Sequence, residues 1–107
     1  MSRDRDYARM EESTQHRPYQ PAAVAPRLKA VRRALGLQKA QFADLIGIDR
    51  SSYSKIEKGI KPLLPDRAYK IFELYGVDMN FIYLGQVGGL PERLSKAVMH
   101  HLNGGHA

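Results

Sequence analysis

Residues 36 to 59 read GLQKAQFADLIGIDRSSYSKIEKG, and this stretch decides the fold. Apolar residues recur at helical spacing on either side of a central glycine, which indicates two short helices joined by a tight turn. We expect the first of them at about Lys39 to Ile46. Its inward-facing side chains are Phe42, Ala43 and Ile46, which share one helical face.

The second helix follows Gly47, whose tolerance of a positive φ suits a tight turn. Asp49 stands at the N-cap position, where its carboxylate can accept a backbone N–H and favours the positive end of the helix dipole. We expect this helix at Arg50 to Lys58, with Tyr53 and Ile56 on its inner face. Its outer face then holds polar and basic side chains, namely Arg50, Ser51, Ser54, Lys55 and Lys58.

Four further helices are predicted around this pair. They run from Arg27 to Gly36, from Pro65 to Gly76, from Asp78 to Gly85, and onward from Pro91. Their apolar stripes are Leu28, Val31, Ala34 and Leu35; Ala68, Ile71, Phe72 and Tyr75; Phe81, Ile82 and Leu84; and Leu94, Val98 and Leu102. No strand pattern or internal repeat is visible, so the sequence predicts an all-α fold. We expect a flexible N-terminal arm at 1–26, a compact five-helix domain at 27–85 and an extension with one helix at 86–107.

The positive charge is concentrated in the middle of the chain. The net charge is +6, while residues 1 to 26 hold four basic and four acidic side chains and residues 76 to 107 hold two of each. Residues 27 to 75 hold eleven basic and five acidic side chains, so the whole surplus lies there. Such localisation is typical of a domain that neutralises phosphates, although basic surfaces are also common in proteins that bind no nucleic acid.

The composition argues against several classes of protein. The chain has no cysteine, which removes disulfides, thiolate metal sites and thiol catalysis. No Ser, His and carboxylate grouping, P-loop or paired-acid site is visible, so we expect no enzyme and no cofactor. His100, His101 and His106 lack a fixed metal geometry, and we expect no metal. No run approaches the ~20 apolar residues of a membrane span, and residues 1 to 26 are charged, so we expect a cytoplasmic protein.

Two stretches carry a resemblance to a known family. Residues 36–43 and 47–59 resemble the helix-turn-helix of Cro/C1 phage repressors and of the xenobiotic-response-element class of bacterial regulators. The similarity continues through 75–78 (Tyr-Gly-Val-Asp) and 81–85 (Phe-Ile-Tyr-Leu-Gly), so it spans residues 27 to 85. It implies a phage-repressor-like domain, bacterial or phage-encoded and nucleoid-associated, whose second motif helix enters the DNA major groove.

The resemblance also implies a role for each matching position. Arg50, Ser51 and Lys55 would face base edges, and the two cations could donate to guanine O6 and N7. Phosphate contacts would come from Gln38, Lys39, Ser52, Ser54, Lys58 and Lys61. Similar proteins pair an acidic residue matching Glu57 with a basic one matching Arg32, which would clamp two helices together. The structural set is completed by Gly47 and Asp49, which would shape the turn.

Three positions depart from the family pattern. The family commonly has Gln where this chain has Lys39, and Ser or Thr where it has Gln38. Lys39 is a point charge where an amide would bond more directionally, and Gln38 is a poor helix cap. Tyr53 is larger than the usual aliphatic residue, and we expect its ring in the core with the hydroxyl at the edge.

The function expected first is a sequence-specific transcriptional regulator of double-stranded DNA, a repressor that reads a pseudo-palindromic operator as a homodimer. Two-fold proteins read two half-sites about one helical turn apart. The stripe of Leu94, Val98 and Leu102 is the candidate dimer interface, and the alternative is that it folds back onto its own domain.

A second function remains open from the residues alone. The chain could be an antitoxin or inhibitor that holds a protein partner through the arm or the last helix and autoregulates its operon. Arg3, Arg5 and Arg9 could enter a minor groove, or the arm could be disordered, since its acidic side chains cancel its basic ones.

Overall fold

The structure, a computed structural model, describes residues 17–104, which form six helices with no strand among them. The helices are α1 (Pro21–Ala34), α2 (Lys39–Ile46), α3 (Arg50–Glu57), α4 (Pro65–Tyr75), α5 (Met79–Leu84) and α6 (Glu92–Leu102). The all-α prediction is therefore confirmed for this part of the chain. No helix within 17–104 is long and apolar enough to cross a bilayer.

One apolar core lies between the helices. Its fully buried side chains come from all six of them and include Leu28, Phe42, Tyr53, Ile71, Phe81 and Val98. The rings of Phe42 and Tyr53 meet edge to face, with centroids 5.6 Å apart and planes at 84°. Such an aromatic pair stabilises by about 0.5 to 1.5 kcal/mol beyond its burial. Because the pair joins α2 to α3, the core itself holds the two motif helices together.

The first helix begins at Pro21, six residues earlier than expected. Pro21 occupies the first turn, where a missing N–H is tolerated, and Val24 and Ala25 are buried. Pro26 lies inside the helix despite the backbone hydrogen bond that its ring removes. The prediction of a flexible arm is therefore wrong for residues 21 to 26. Residues 1 to 16, with the three arginines considered for a minor groove, lie outside the described part of the chain.

The start of α1 supports the end of α3. Gly59 follows α3 with a φ of +76°, and a Cβ there would lie 3.0 Å from the Cα of Ala22. The backbone before α1 is fixed by Arg27, whose Nη1 donates to the carbonyl of Pro18 at 2.7 Å and to that of Ile82 at 3.0 Å. The segment around Pro18 and the first turn of α1 are thus part of the domain, since Arg27 binds the Pro18 carbonyl and Ala22 lies against Gly59.

The last helix folds back along α1, and this is the most extensive helix pairing in the described chain. Leu94 is 7% exposed, Val98 is fully buried, and Leu102 packs partly buried against the same core. The preference for this stripe as a dimer interface is therefore wrong for Leu94 and Val98. Their side chains are covered by their own chain because α1, longer than expected, offers α6 a partner.

The fourth helix differs from expectation at one position of its stripe. Ala68 and Ile71 are fully buried, and Tyr75 packs partly buried against the core. Phe72 is instead 44% exposed, and its ring lies 6.0 Å from that of Tyr69 on the surface. Phe72 follows Ile71 by about 100° around the helix, so it falls on the rim of the buried stripe.

Candidate DNA-binding surface

The turn between α2 and α3 is held by hydrogen bonds from both sides. Gly47 ends α2 with a φ of +72°, and the N–H of Ile48 donates to the carbonyl of Ala43 at 2.9 Å. The Asp49 carboxylate accepts from the N–H of Ser52 at 3.2 Å and so caps α3 as expected. These bonds satisfy the free backbone groups where the two helices meet, and they fix the angle of the motif.

Arg67, which the sequence did not single out, supports the same turn from α4. Its Nη1 donates to the carbonyl of Ile46 at 3.1 Å, at the negative end of the α2 dipole. A Cβ on Gly47 would lie 2.5 Å from that nitrogen. The positive φ favours glycine here, and a Cβ would also displace the end of the Arg67 side chain. No periodic pattern could reveal the hydrogen bond between Arg67 and Ile46, because it joins residues twenty-one positions apart.

The inner face of α3 is locked to α1 by a buried ion pair. The Arg32 Nε donates to Glu57 Oε2 at 2.6 Å and its Nη2 to Oε1 at 3.1 Å, while Nη1 donates to the carbonyl of Leu37 at 2.9 Å. The hydrogen bond to Glu57 raises the pKa of Arg32 above its usual range. The structure thus contains the Arg32 and Glu57 clamp that the family resemblance implies.

Tyr53 adds a third member to this cluster. Its side chain is fully buried, and its hydroxyl donates to Glu57 Oε2. Burial, and then the hydrogen bond to the carboxylate, raise the pKa of Tyr53 far above its usual value. The expectation of a hydroxyl at the edge of the core is wrong, because Glu57 provides an internal acceptor. The inner face of α3 is therefore fixed by charge pairing as well as by apolar burial.

The outer face of α3 is free within the described chain and is cationic. Arg50, Ser51, Lys55 and Lys58 are exposed, and Ser52 and Ser54 are half-buried. The flanking residues Gln38, Lys39 and Lys61 are exposed as well. The side chains that the resemblance assigns to DNA thus lie on α3, at the start of α2 and just after α3, in accessible positions.

Several of these side chains are already engaged with one another. The Ser51 hydroxyl donates to Asp49 Oδ2 at 2.6 Å, and Lys61 Nζ donates to the Ser52 hydroxyl at 3.1 Å. The hydrogen bonds from Ser51 and Ser52 lower the pKa of Asp49. At the start of α2 the N–H of Gln38 donates to the side chain of Gln41 at 2.9 Å, as in a capping box.

Arg50 forms a contact that the sequence did not suggest. Its Nε donates to Asp44 Oδ1 at 3.1 Å and its Nη2 to Asp44 Oδ2 at 2.7 Å. This bidentate pair lowers the pKa of Asp44 and joins α2 to the first residue of α3. The six-residue separation crosses the turn, so helical spacing within one element gives no signal for it.

Residues 17 to 104 contain no group of three or more His, Asp or Glu side chains that could hold a metal ion. The rings of His100 and His101 meet edge to face with centroids 5.2 Å apart. His106 lies outside the described residues.

Two short helices joined by a fixed turn, the second with its inner face buried and its outer face exposed and basic, define a DNA-binding domain of the helix-turn-helix class. The family model described as helix-turn-helix matches residues 28–82. The chain therefore belongs to the helix-turn-helix family of Cro/C1 type and is a DNA-binding regulator. No curated protein matches the chain, and no solved structure matches it either.

Proposed function

We propose that this protein is a transcriptional repressor that places α3 and Lys58 in the major groove of a pseudo-palindromic operator. The observation that carries the proposal is the division of α3 into two faces. Tyr53, Ile56 and Glu57 are buried, whereas Arg50, Ser51 and Lys55 are exposed. A helix held on one side and free on the other can enter a groove about 12 Å wide without rearrangement of the core.

Base reading is assigned to the exposed side chains at the start and middle of α3. Arg50 and Lys55 are the donors for guanine O6 and N7, a contact that discriminates by about 1 to 3 kcal/mol when it is bidentate. Ser51 retains acceptor capacity after donating to Asp49, and it can accept from a base amino group. These three residues carry the sequence preference in the proposal.

Phosphate contacts are assigned to residues around Arg50, Ser51 and Lys55. They are Gln38, Lys39, Ser52, Ser54, Lys58 and Lys61, of which only the lysines change the counterion balance. Each lysine that neutralises a phosphate contributes about −0.9 to the slope of log affinity against log salt concentration. These contacts orient the domain on the duplex but do not select its sequence.

We further propose that the repressor acts as a homodimer, because a two-fold protein matches a two-fold site. Leu94 and Val98 are buried within their own chain, so the dimer must use other side chains. A dimer on the operator would block access of the polymerase to the promoter.

The proposal is tested by selecting bound duplexes from a random pool and sequencing them, with the mass of the complex measured alongside. The expected product is one short, roughly palindromic site bound by two protein chains. Arg50→Ala should lose preference at one base pair per half-site. Lys39→Ala should weaken all duplexes and make the salt slope shallower by about 1.8, because a dimer loses two lysine contacts at about 0.9 each.

The matched control is Lys96→Ala, because Lys96 is an exposed cation on α6. This variant should keep both the selected sequence and the affinity. If the enriched duplexes shared no common sequence, the repressor proposal would be wrong. A complex that contains a second, different protein instead of DNA would favour the antitoxin alternative.

A further inference from the structure

The bidentate contact between Asp44 and Arg50 involves two exposed side chains, which retain 55% and 66% of their accessible surface. Exposed ion pairs contribute little to folding stability, because water screens them and both side chains lose rotamer freedom. The pair is nevertheless well formed, with two hydrogen bonds of 3.1 and 2.7 Å. We therefore expect the pair to matter for the position of the Arg50 guanidinium group more than for folding stability.

Asp44 occupies one edge of that guanidinium group and leaves another edge free. A guanidinium has five N–H donors, of which Asp44 takes the one on Nε and one on Nη2. The two hydrogens on Nη1 and the second hydrogen on Nη2 remain. One of the Nη1 hydrogens and the remaining Nη2 hydrogen point in parallel, which is the arrangement that matches guanine O6 and N7.

We propose that Asp44 is a specificity-determining positioning residue, which holds Arg50 at the start of α3 so that its free edge is presented to a guanine. This inference rests on the proposed DNA reading by α3. An arginine that is already ordered loses less conformational freedom on binding, and it donates along one direction only. An unheld arginine can turn to a phosphate or to a neighbouring base instead.

The charge of Asp44 also weakens DNA binding, whereas its contact with Arg50 favours recognition of the correct base pair. A carboxylate beside the reading helix repels the phosphate backbone of any duplex, whatever its sequence. Removing it should therefore strengthen binding to unrelated DNA while it weakens discrimination at the base pair read by Arg50. A residue that only stabilised the fold would change both affinities in the same direction.

The experiment measures dissociation constants of the full chain for its selected duplex, for single-base variants of that duplex and for an unrelated duplex. The proteins are wild type, Asp44→Asn, Asp44→Ala, Arg50→Ala, and the double variant Asp44→Ala with Arg50→Ala. Glu73→Gln is the matched control, because Glu73 is an exposed carboxylate on α4. Thermal unfolding midpoints are recorded for every protein.

Both Asp44 variants should lower discrimination at the base pair read by Arg50 by about fivefold or more, the lower limit of a bidentate contact. Discrimination at the other base pairs should stay the same, and affinity for unrelated DNA should rise. In the Arg50→Ala background the Asp44 substitution should leave discrimination at that base pair unchanged. Glu73→Gln should alter none of these values.

The proposal is overturned if Arg50→Ala loses discrimination at one base pair while the Asp44 variants keep it. In that case the proposed DNA reading by α3 is retained without a role for Asp44. It is also overturned if Arg50→Ala has no effect on sequence preference. If wild-type protein selects no duplex, the proposed function fails first and the role of Asp44 fails with it. An equal loss on all duplexes, with a lower unfolding midpoint, would assign Asp44 to the fold.

Discussion

Arg32 Nε lies 2.6 Å from Glu57 Oε2, so a salt bridge enclosed by the protein joins α1 to α3. The same carboxylate accepts from the hydroxyl of the buried Tyr53. One side chain on α3 therefore satisfies a buried cation and a buried hydroxyl. Because these groups have little access to water, the orientation of α3 depends on Glu57.

Glu57→Ala should lower the free energy of unfolding by about 3 to 5 kcal/mol, because it leaves the buried Arg32 charge without its partner. Denaturant unfolding measures this change. Glu73→Ala removes an exposed carboxylate of the same kind and should change stability by no more than about 0.5 kcal/mol. Equal effects from the two substitutions would show that the ion pair does not hold α3.

Tyr53 should make stability depend on pH in alkaline solution. Its pKa in the folded protein is raised by burial well above the value of 10.0 for a free tyrosine side chain. Above pH 10 the unfolded chain releases the Tyr53 hydroxyl proton, while the folded chain keeps it. The contribution of Tyr53 is complete below about pH 10, and above it stability falls by about 1.4 kcal/mol per pH unit.

The measurement is denaturant unfolding of wild type and Tyr53→Phe at a series of pH values. The slope of stability against pH above 10 should be shallower in the variant by the contribution of one proton. Parallel curves for the two proteins would mean that Tyr53 ionises as easily in the folded state as in the unfolded one.

Gly47→Ala should destabilise the protein more than Gly36→Ala does. Both glycines have a positive φ near +70°, so both substitutions carry the strain of about 1 to 2 kcal/mol for a left-handed residue. Gly36 has open space around it, whereas a Cβ on Gly47 would displace Arg67. Thermal unfolding of both variants, and of Gly47→Ala with Arg67→Ala, separates the two costs. A smaller effect at Gly47 than at Gly36 would contradict the contact.

Leu94→Ala should lower the free energy of unfolding by about 2 to 5 kcal/mol, because Leu94 is buried between α6 and the rest of its own chain. The molecular mass in solution should remain that of wild type under native conditions. Light scattering and denaturant unfolding together provide the check. If the variant had a lower molecular mass in solution than wild type and the same free energy of unfolding, Leu94 would lie in a dimer interface.

The motif helices could be predicted closely from the sequence because their signals are local. α2 begins at Lys39 and ends at Ile46 as expected, and α3 begins at Arg50 directly after its Asp49 cap. A glycine with positive φ and a capping aspartate act through neighbouring backbone atoms. These signals need no knowledge of the rest of the fold.

The start of α1 and the surface that covers α6 depend on packing; the first was predicted wrongly, and for the second the folded-back alternative was the correct one. Val24 and Leu28 have helical spacing, but Val24 lies in the segment 1–26 that was expected to be a flexible arm. A stripe such as that of Leu94 and Val98 shows that a helix buries one face, and it does not show which chain covers that face. The covering surface is known only when α1 is placed in space.

The candidate site was predicted as a set of residues but not as a set of contacts. The exposed positions of Arg50 and Lys55 follow from the helical period of α3. The partners Asp44 and Arg67 reach the motif across the turn and from α4, at sequence separations that follow no helical repeat. Contacts of this kind depend on how the helices cross, which a single sequence does not specify.

The most direct test of the account is a map of backbone amide chemical shifts in the full chain on addition of its selected duplex. The account predicts the largest shifts along α3, with further shifts at the start of α2 and at Lys61, while the amides of α6 stay nearly unchanged. Shifts concentrated on α6, with those of α3 unperturbed, would contradict the assignment of α3 as the DNA-reading helix.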